Sequence, residues 1–340
     1  MGRKLRHVLI FLLIILKEPN MPDADCMCTP PPHCRCYGLN SIPQNLPKSV
    51  YLCWLCLLGN QITMIRSGTF VNLTKLEMVN LGVNNLTMIQ PGAFANVPRL
   101  NRLELFHNQI TKIEAGTMAN LPGLRTLHLY GNQITKIQPG IFANLRKLQK
   151  LHLALNQITM IQPGSFESLP QLECLRLDNN QITMIQAGSL SNLPQLQHLS
   201  LQKNQITKIQ AGSFVNLPRL QFLELGENQI TKIQAGSFAN LPLFQRLELQ
   251  NNKMSAIPLS ALRSFLSIIT IELDGNPWHC DCKMTPFRLN PALKDQIICA
   301  QPAKVQGQNL TDVNPEELTC EEPTDTSHYH CVTVFPLDHK

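Results

Sequence analysis

The sequence predicts an α/β solenoid: a horseshoe of stacked coils with a parallel sheet on its concave side, turns and short 3₁₀ segments on its convex side, and a disulfide cap at each end. Three observations carry this prediction. Ten asparagines stand in register at Asn60, Asn84, Asn108, Asn132, Asn156, Asn180, Asn204, Asn228, Asn252 and Asn276, each 24 residues after the last. Around each runs the spacing L-x-x-L-x-L-x-x-N, as in Leu100, Leu103, Leu105 and Asn108. Cysteine clusters bracket the repeated stretch on both sides.

A fixed period in the twenties with that leucine spacing is the signature of leucine-rich repeats. The x-L-x-L-x segment of each coil reads as a short strand, whose side chains alternate between two faces. Leu103 and Leu105 therefore point inward, while Arg102, Glu104 and Phe106 point outward. One coil cannot bury its apolar face alone, so neighbouring coils stack into a continuous core. The asparagine lies where the chain leaves the strand, and its amide can both donate to and accept from backbone groups. Ten in register predict a buried hydrogen-bonded ladder. The opposite wall carries Phe70, Phe94, Phe142, Phe166, Phe214 and Phe238, with Met118, Leu190 and Leu262 at the same offset. Recurring glycines (Gly68, Gly92, Gly116) and prolines (Pro98, Pro122, Pro170) punctuate that side with turns and leave no room for long helices. At ~4.8 Å between strands, ten strands make a sheet roughly 43 Å long, enough for a protein-sized partner.

The domain organisation follows from composition. Residues 1–22 read as a signal peptide, because Arg3, Lys4 and Arg6 precede an apolar run from Val8 to Leu16. That run is too short to span a bilayer. Residues 23–48 form a cysteine-rich N-terminal cap with Cys26, Cys28, Cys34 and Cys36. Residues 49–276 are ten coils, residues 277–322 a second cysteine-rich cap, and residues 323–340 a polar tail. The tail lacks the hydrophobic end of a lipid-anchor signal, and no later stretch is apolar enough for a membrane helix. Disulfide caps require an oxidising compartment, so the expectation is a secreted protein without a membrane anchor.

Four cysteines fall outside the caps: Cys53, Cys56, Cys174 and Cys331. Cys53 and Cys56 form a C-x-x-C around Leu55, but an extended strand holds them too far apart to bond without distortion. They read as occupants of variable outward positions, or one of them pairs with the cap. Cys174 and Cys331 are thiols open to an intermolecular disulfide.

The formal charge of +6 falls to +3 once Arg3, Lys4, Arg6, Lys17 and Glu18 are removed with residues 1–22. No basic block remains, and nucleic-acid binding is not indicated. Lys112, Lys136, Lys208 and Lys232 share one offset with Met64, Met88, Met160 and Met184 and read as a solvated edge. Three N-x-T triplets, at Asn72, Asn85 and Asn309, are glycosylation candidates. His328, His330 and Cys331, or His279 with Cys280 and Cys282, do not match a zinc spacing, so no metal is expected. No nucleophile–base arrangement or phosphate loop is present. The reading is of a protein that is not an enzyme and needs no cofactor.

Comparing the coils with one another locates the functional surface. Core and convex positions are nearly copied, whereas the outward strand positions differ from coil to coil. The densest group of binding-prone residues is Arg102, Phe106, His128, Tyr130, His152 and Arg176, on four successive coils. Aromatics and arginine dominate binding hot spots because they join large area to a polar tip. With Glu104, Asp178, Phe222 and Glu224 they form the candidate site for a protein or glycan ligand. Glu224, Glu248, Glu272 and Asp274 make a second, acidic patch.

The run Asn276-Pro277-Trp278-His279-Cys280-Asp281-Cys282, with Cys299 and Cys320, resembles the C-terminal cap of extracellular leucine-rich repeat proteins. That resemblance implies the pairs Cys280–Cys299 and Cys282–Cys320. The same alternation carried to the N-terminal cap implies Cys26–Cys34 and Cys28–Cys36. From Cys26 to Cys320 the capped, regular coils with variable strand positions look like variable lymphocyte receptors and related invertebrate proteins. This implies recognition of microbial or other foreign surfaces. The alternative is a matrix, adhesion or guidance molecule of the Slit or small-proteoglycan type, with one fixed endogenous partner.

Overall fold

The computed structural model describes residues 25–29, 33–43, 46, 54–118, 121–190, 192–257, 268–288, 290, 293 and 295–320. The expected signal peptide, the polar tail, Cys53, Cys331 and Leu262 lie outside these residues.

Ten parallel three-residue strands repeat at 24-residue intervals from β3 (Trp54–Cys56) through Arg102–Glu104, Thr126–His128, Lys150–His152 and Cys174–Arg176 to Thr270–Glu272. Each pairs with the next in unshifted register, so Arg102 faces Thr126 and Glu104 faces His128. A hairpin of β1 (Asp25–Thr29) and β2 (His33–Tyr37) extends this sheet to twelve strands, β2 running parallel to β3. A strand three residues long cannot bury enough surface to persist alone. Its persistence here rests on the buried leucines beneath it, Leu103, Leu127, Leu151, Leu175 and Leu199, all fully inaccessible.

The asparagine ladder runs through all ten coils, and none of the ten is more than 7 % exposed. Asn156 shows its wiring. Its Oδ1 accepts from the Ile134 N–H at 3.0 Å, and its Nδ2 donates to the carbonyls of Leu129 and Leu153 at 3.0 Å. Each amide thus satisfies backbone groups on its own coil and on the coil before. The first member, Asn60, ties the stack to the N-terminal cap through Cys36 and Leu39. The last, Asn276, accepts from Met254 N–H.

The convex side consists of hydrogen-bonded turns with i→i+3 bonds, such as Val71 N–H to Gly68 and Leu73 N–H to Phe70. Gly68 sits there at φ +73°, a conformation that costs a side-chain-bearing residue energy. The aromatic wall divides into three stacked pairs: Phe70–Phe94 at 5.1 Å, Phe142–Phe166 at 6.2 Å and Phe214–Phe238 at 5.8 Å. Met118 and Leu190 separate them and fill the same buried slot. Met64, Met88, Met160 and Met184 are exposed on the connecting segments, with lysines between the pairs.

Disulfides close both ends. In the C-terminal cap, Cys280 bonds Cys299 and Cys282 bonds Cys320. Trp278 is wholly buried there, its indole N–H donating to the Leu273 carbonyl. Asp281 caps the 3₁₀ segment Cys282–Phe287 by accepting from Lys283 N–H. The N-terminal cap differs from the alternating pairs Cys26–Cys34 and Cys28–Cys36. Cys26 bonds Cys36, and Cys28 bonds Cys34. The reason is the hairpin: antiparallel pairing sets Cys26 opposite Cys36 and Cys28 opposite Cys34, so only nested partners meet.

Candidate functional site

The unshifted register lays the outward side chains in columns along the concave sheet. Arg102, Thr126, Lys150, Cys174, His198, Phe222 and Arg246 form one column. Glu104, His128, His152, Arg176, Ser200, Glu224 and Glu248 form the next. Phe106, Tyr130, Ala154 and Asp178 follow just past the strand ends.

The centre of the sheet is an aromatic cluster edged by cations. The Phe106 and Tyr130 rings stack at 5.0 Å with planes 2° apart. Room for this comes from Gly82 on the preceding coil, where a Cβ would strike the Phe106 ring at 2.6 Å or closer. Beside them His128 and His152 stack at 4.5 Å. Arg102 donates through Nε to Glu104 at 2.7 Å, and Arg176 grips Asp178 through Nε at 3.0 Å and Nη2 at 3.3 Å. Lys150, exposed on the same strand as His152, makes no ion pair among the described residues.

Further along, Glu224 collects His198 Nε2 at 2.7 Å, Ser200 Oγ at 2.6 Å and Gln202 Nε2 at 3.4 Å. Burial pushes the Glu224 pKa up, yet the hydrogen bonds from His198 and Ser200 outweigh it and hold the carboxyl below its ordinary value. Arg246 bridges Glu248 at 2.7 Å and Glu272 at 2.5 Å, which raises its pKa chiefly through the Glu248 hydrogen bond. Asp274 is exposed at the end of this acidic stretch.

The Leucine rich repeat family profile matches residues 51–110, 80–134, 122–182 and 170–230, together more than half of the 340-residue chain. The chain belongs to this family. The leucine-rich repeat chain is 33% identical over 69 residues to the leucine-rich repeat and fibronectin type-III domain-containing protein 5 of Mus musculus. It is 30% identical over 82 residues to Toll-like receptor 2 of Cricetulus griseus. These matches cover 20% and 22% of the chain, and the chain spans about a tenth of either relative's length. Among solved structures, a chain of the octameric complex of latrophilin 3, Unc5D and FLRT2 is similar with a TM-score of 0.64 and 23% identity, over 87% of this chain and 99% of that one. The Drosophila Toll–Spätzle complex is similar with a TM-score of 0.60 and 18% identity, over 83% of this chain and 54% of the other. At those identities the structural likeness shows the fold alone.

Within this leucine-rich repeat sheet, Arg102, Phe106, His128, Tyr130, His152 and Arg176 share one surface on four adjacent strands. Glu104 and Asp178 also face the concave side, but each is only 5 % exposed beneath its arginine. They orient guanidinium groups and do not themselves reach outward. Phe222 lies 5.6 Å from the His198 ring, two strands beyond the central cluster. The half-buried Cys174 thiol has its pKa raised by desolvation, which disfavours the reactive thiolate.

Two features escaped the column reading. His107 is exposed just outside it, its ring edge-on to Tyr130 at 5.1 Å. Its row (Val83, His107, Gly131, Leu155, Asn179, Lys203) also varies from coil to coil, which is the signal that marks it. The N-terminal hairpin adds Met27 and Tyr37 to Trp54, which contacts His33 edge-on at 4.3 Å, around an apolar cleft of about 440 Å³. Among the described residues no group of His, Cys, Asp and Glu is arranged to hold a metal ion.

Burial, and then the Arg102 charge for His128 and the His128 neighbour for His152, lower both histidine pKa values from 6.5 to about 4. The unfolded chain therefore binds more protons than the folded one between those values, so stability is lost as pH falls from about 6.5 to about 4. Glu224, held low, adds loss in the same direction. The expected result is a melting temperature that declines over this window in the natural chain and declines less in a His128→Gln/His152→Gln variant. Differential scanning fluorimetry against pH checks it. Parallel curves would contradict the burial argument.

Proposed function

We propose that this chain is a secreted, non-enzymatic binding protein that holds a protein ligand against its concave sheet, centred on Phe106, Tyr130, His128, His152, Arg102 and Arg176. The observation that carries this reading is the contrast between the concave and the connecting surfaces of the coils. Exposed connecting residues such as Thr159, Thr183 and Thr207 are copied from coil to coil, while the concave columns differ between most neighbouring coils, the His128/His152 pair and the Glu224, Glu248 and Glu272 run excepted. Mutational tolerance would loosen both alike. The fixed rings and the arginines preset by buried carboxylates lose little freedom on binding, which favours affinity.

The similar structures point the same way, since one is a complex of FLRT2 with latrophilin 3 and Unc5D and another a complex of Toll with Spätzle. Among the described residues no helix is long and apolar enough to cross a membrane. A biolayer interferometry panel of extracellular proteins, glycans and bacterial surfaces tests the reading. The expected result is saturable binding to a protein, lost on altering the central cluster. Binding confined to glycans, or insensitive to that cluster, would contradict it.

Secretion also makes the N-x-T sites chemically available. Asn72 and Asn85 are exposed. Asn72 uses only its Oδ1, as acceptor from Asn96 at 2.6 Å, so its Nδ2 remains open for a glycan. Asn309 is engaged through Oδ1 by Thr311 and through Nδ2 by Asp295. Protein secreted from eukaryotic cells is expected to drop in mass on enzymatic deglycosylation, and a N72Q/N85Q variant to drop less. An unchanged mass in the natural chain would refute glycan occupancy.

A further inference from the structure

The two ends of the sheet are finished differently. At the C-terminal end the cap folds over the last coil: the Leu273 N–H donates to Gln296 Oε1 at 2.8 Å, and Trp278 fills the space beneath. At the N-terminal end the sheet finishes in β1, and among the described residues nothing pairs with its outer edge.

Which backbone groups that edge offers follows from the hairpin. The pairs Cys26–Cys36 and Cys28–Cys34 have Cα atoms 4.0 and 4.1 Å apart. So close an approach marks non-hydrogen-bonded antiparallel pairs. Asp25, Met27 and Thr29 therefore spend their amides on β2, and the N–H and C=O groups of Cys26 and Cys28 turn to the free edge. Met27, between them, points to the concave side and is 64 % exposed. Tyr37, capped by Arg35 at 5.3 Å, and Trp54 continue an apolar strip inward from that edge.

A bare strand edge beside an exposed apolar side chain is a template for another strand. We propose that β1 is a self-association edge, taking β1 of a second copy of this chain antiparallel across a two-fold axis through Met27. The self-complementarity of the strand argues for a second copy as the occupant. With the axis at Met27, Cys26 of one copy lies opposite Cys28 of the second, and the free N–H and C=O groups of both residues pair on both copies. A two-fold centred on Cys26 or on Cys28 leaves half of those groups unpaired. The Met27 register also sets the two methionine side chains opposite each other, ~4.5–5.5 Å apart at Cβ, burying the most exposed apolar group of the cap. Such a contact is isologous and closes at two copies. It joins two concave faces into one continuous surface while leaving the central clusters of both free.

Sedimentation and light scattering on the full secreted chain test this. The expected mass approaches twice that of the monomer as concentration rises toward ~100 μM, as suits an interface below the standard size. Met27→Glu puts two carboxylates face to face on the axis and is expected to return the monomer mass. Leu243→Glu, at an exposed residue remote from β1, is expected to leave the dimer intact. Hydrogen exchange at the Cys26 and Cys28 amides should be slow in the dimer and fast in Met27→Glu, with unchanged melting temperature. A natural chain that stays monomeric at ~100 μM overturns the proposal, as does a dimer indifferent to Met27→Glu. Slow exchange at these amides in a monomer also overturns it, because the edge is then covered by the chain's own residues.

Discussion

Asn156→Ala is expected to cost about 2–4 kcal/mol of unfolding free energy, read by urea or guanidinium denaturation. The substitution strands the buried Ile134 N–H, which Asn156 meets at 3.0 Å, and takes from the Leu129 carbonyl one of its two amide donors, the other being Asn132, a lost bond that adds about 1 kcal/mol. A buried polar group left without a partner costs ~1–3 kcal/mol. Asn156→Asp is expected to be worse still. The Nδ2 position faces the carbonyls of Leu129, Leu153 and Ala154, so a carboxylate would set oxygen against oxygen in a buried site. This explains why none of the ten ladder positions carries aspartate. Thr231→Ala is the control: its hydroxyl also bonds a neighbouring coil, at the Thr207 carbonyl, but in the open, and surface changes cost ~0.5 kcal/mol or less. Equal losses at the two sites would contradict the buried-ladder account.

The second large effect is on binding. Replacing Phe106, Tyr130 and Arg176 together by Ala is expected to weaken ligand binding at least ~1000-fold, since each anchor of this kind contributes ~2 kcal/mol or more. The melting temperature should fall by only a few degrees. These side chains are partly exposed, and the stack between the two rings contributes ~0.5–1.5 kcal/mol. Calorimetric titration beside a thermal melt separates the two readouts. An affinity within ~3-fold of the natural chain would remove the central cluster from the site.

Much of this was legible because the repeat poses the same physical problem at every coil. A buried turn needing both a donor and an acceptor selects Asn each time, and a core slot of fixed depth selects Phe, Met or Leu at the offset of Phe70. A strict period fixes the register, so Arg102, His128, His152 and Arg176 could be assigned to one surface from spacing alone. What failed to show depends on details outside the period. Two C-x-C runs do not reveal whether their strands fold back on each other, so the nested pairing of Cys26 with Cys36 waited for the hairpin. Alternation puts Glu104 and Asp178 on the outward side but says nothing of the arginines that cover them. His107 sits at a left-handed φ of 50°, past the end of the strand, where a two-residue alternation no longer applies.

Oxidative footprinting of the ligand complex by hydroxyl radicals tests the concave-surface claim most directly, because the chain carries reporters on both sides. The account predicts that ligand protects Phe106, His128, Tyr130 and His152, while the exposed Met64, Met88, Met160 and Met184 oxidise as fast as in the free protein. Protection of those methionines, with the four concave rings left unchanged, would contradict it.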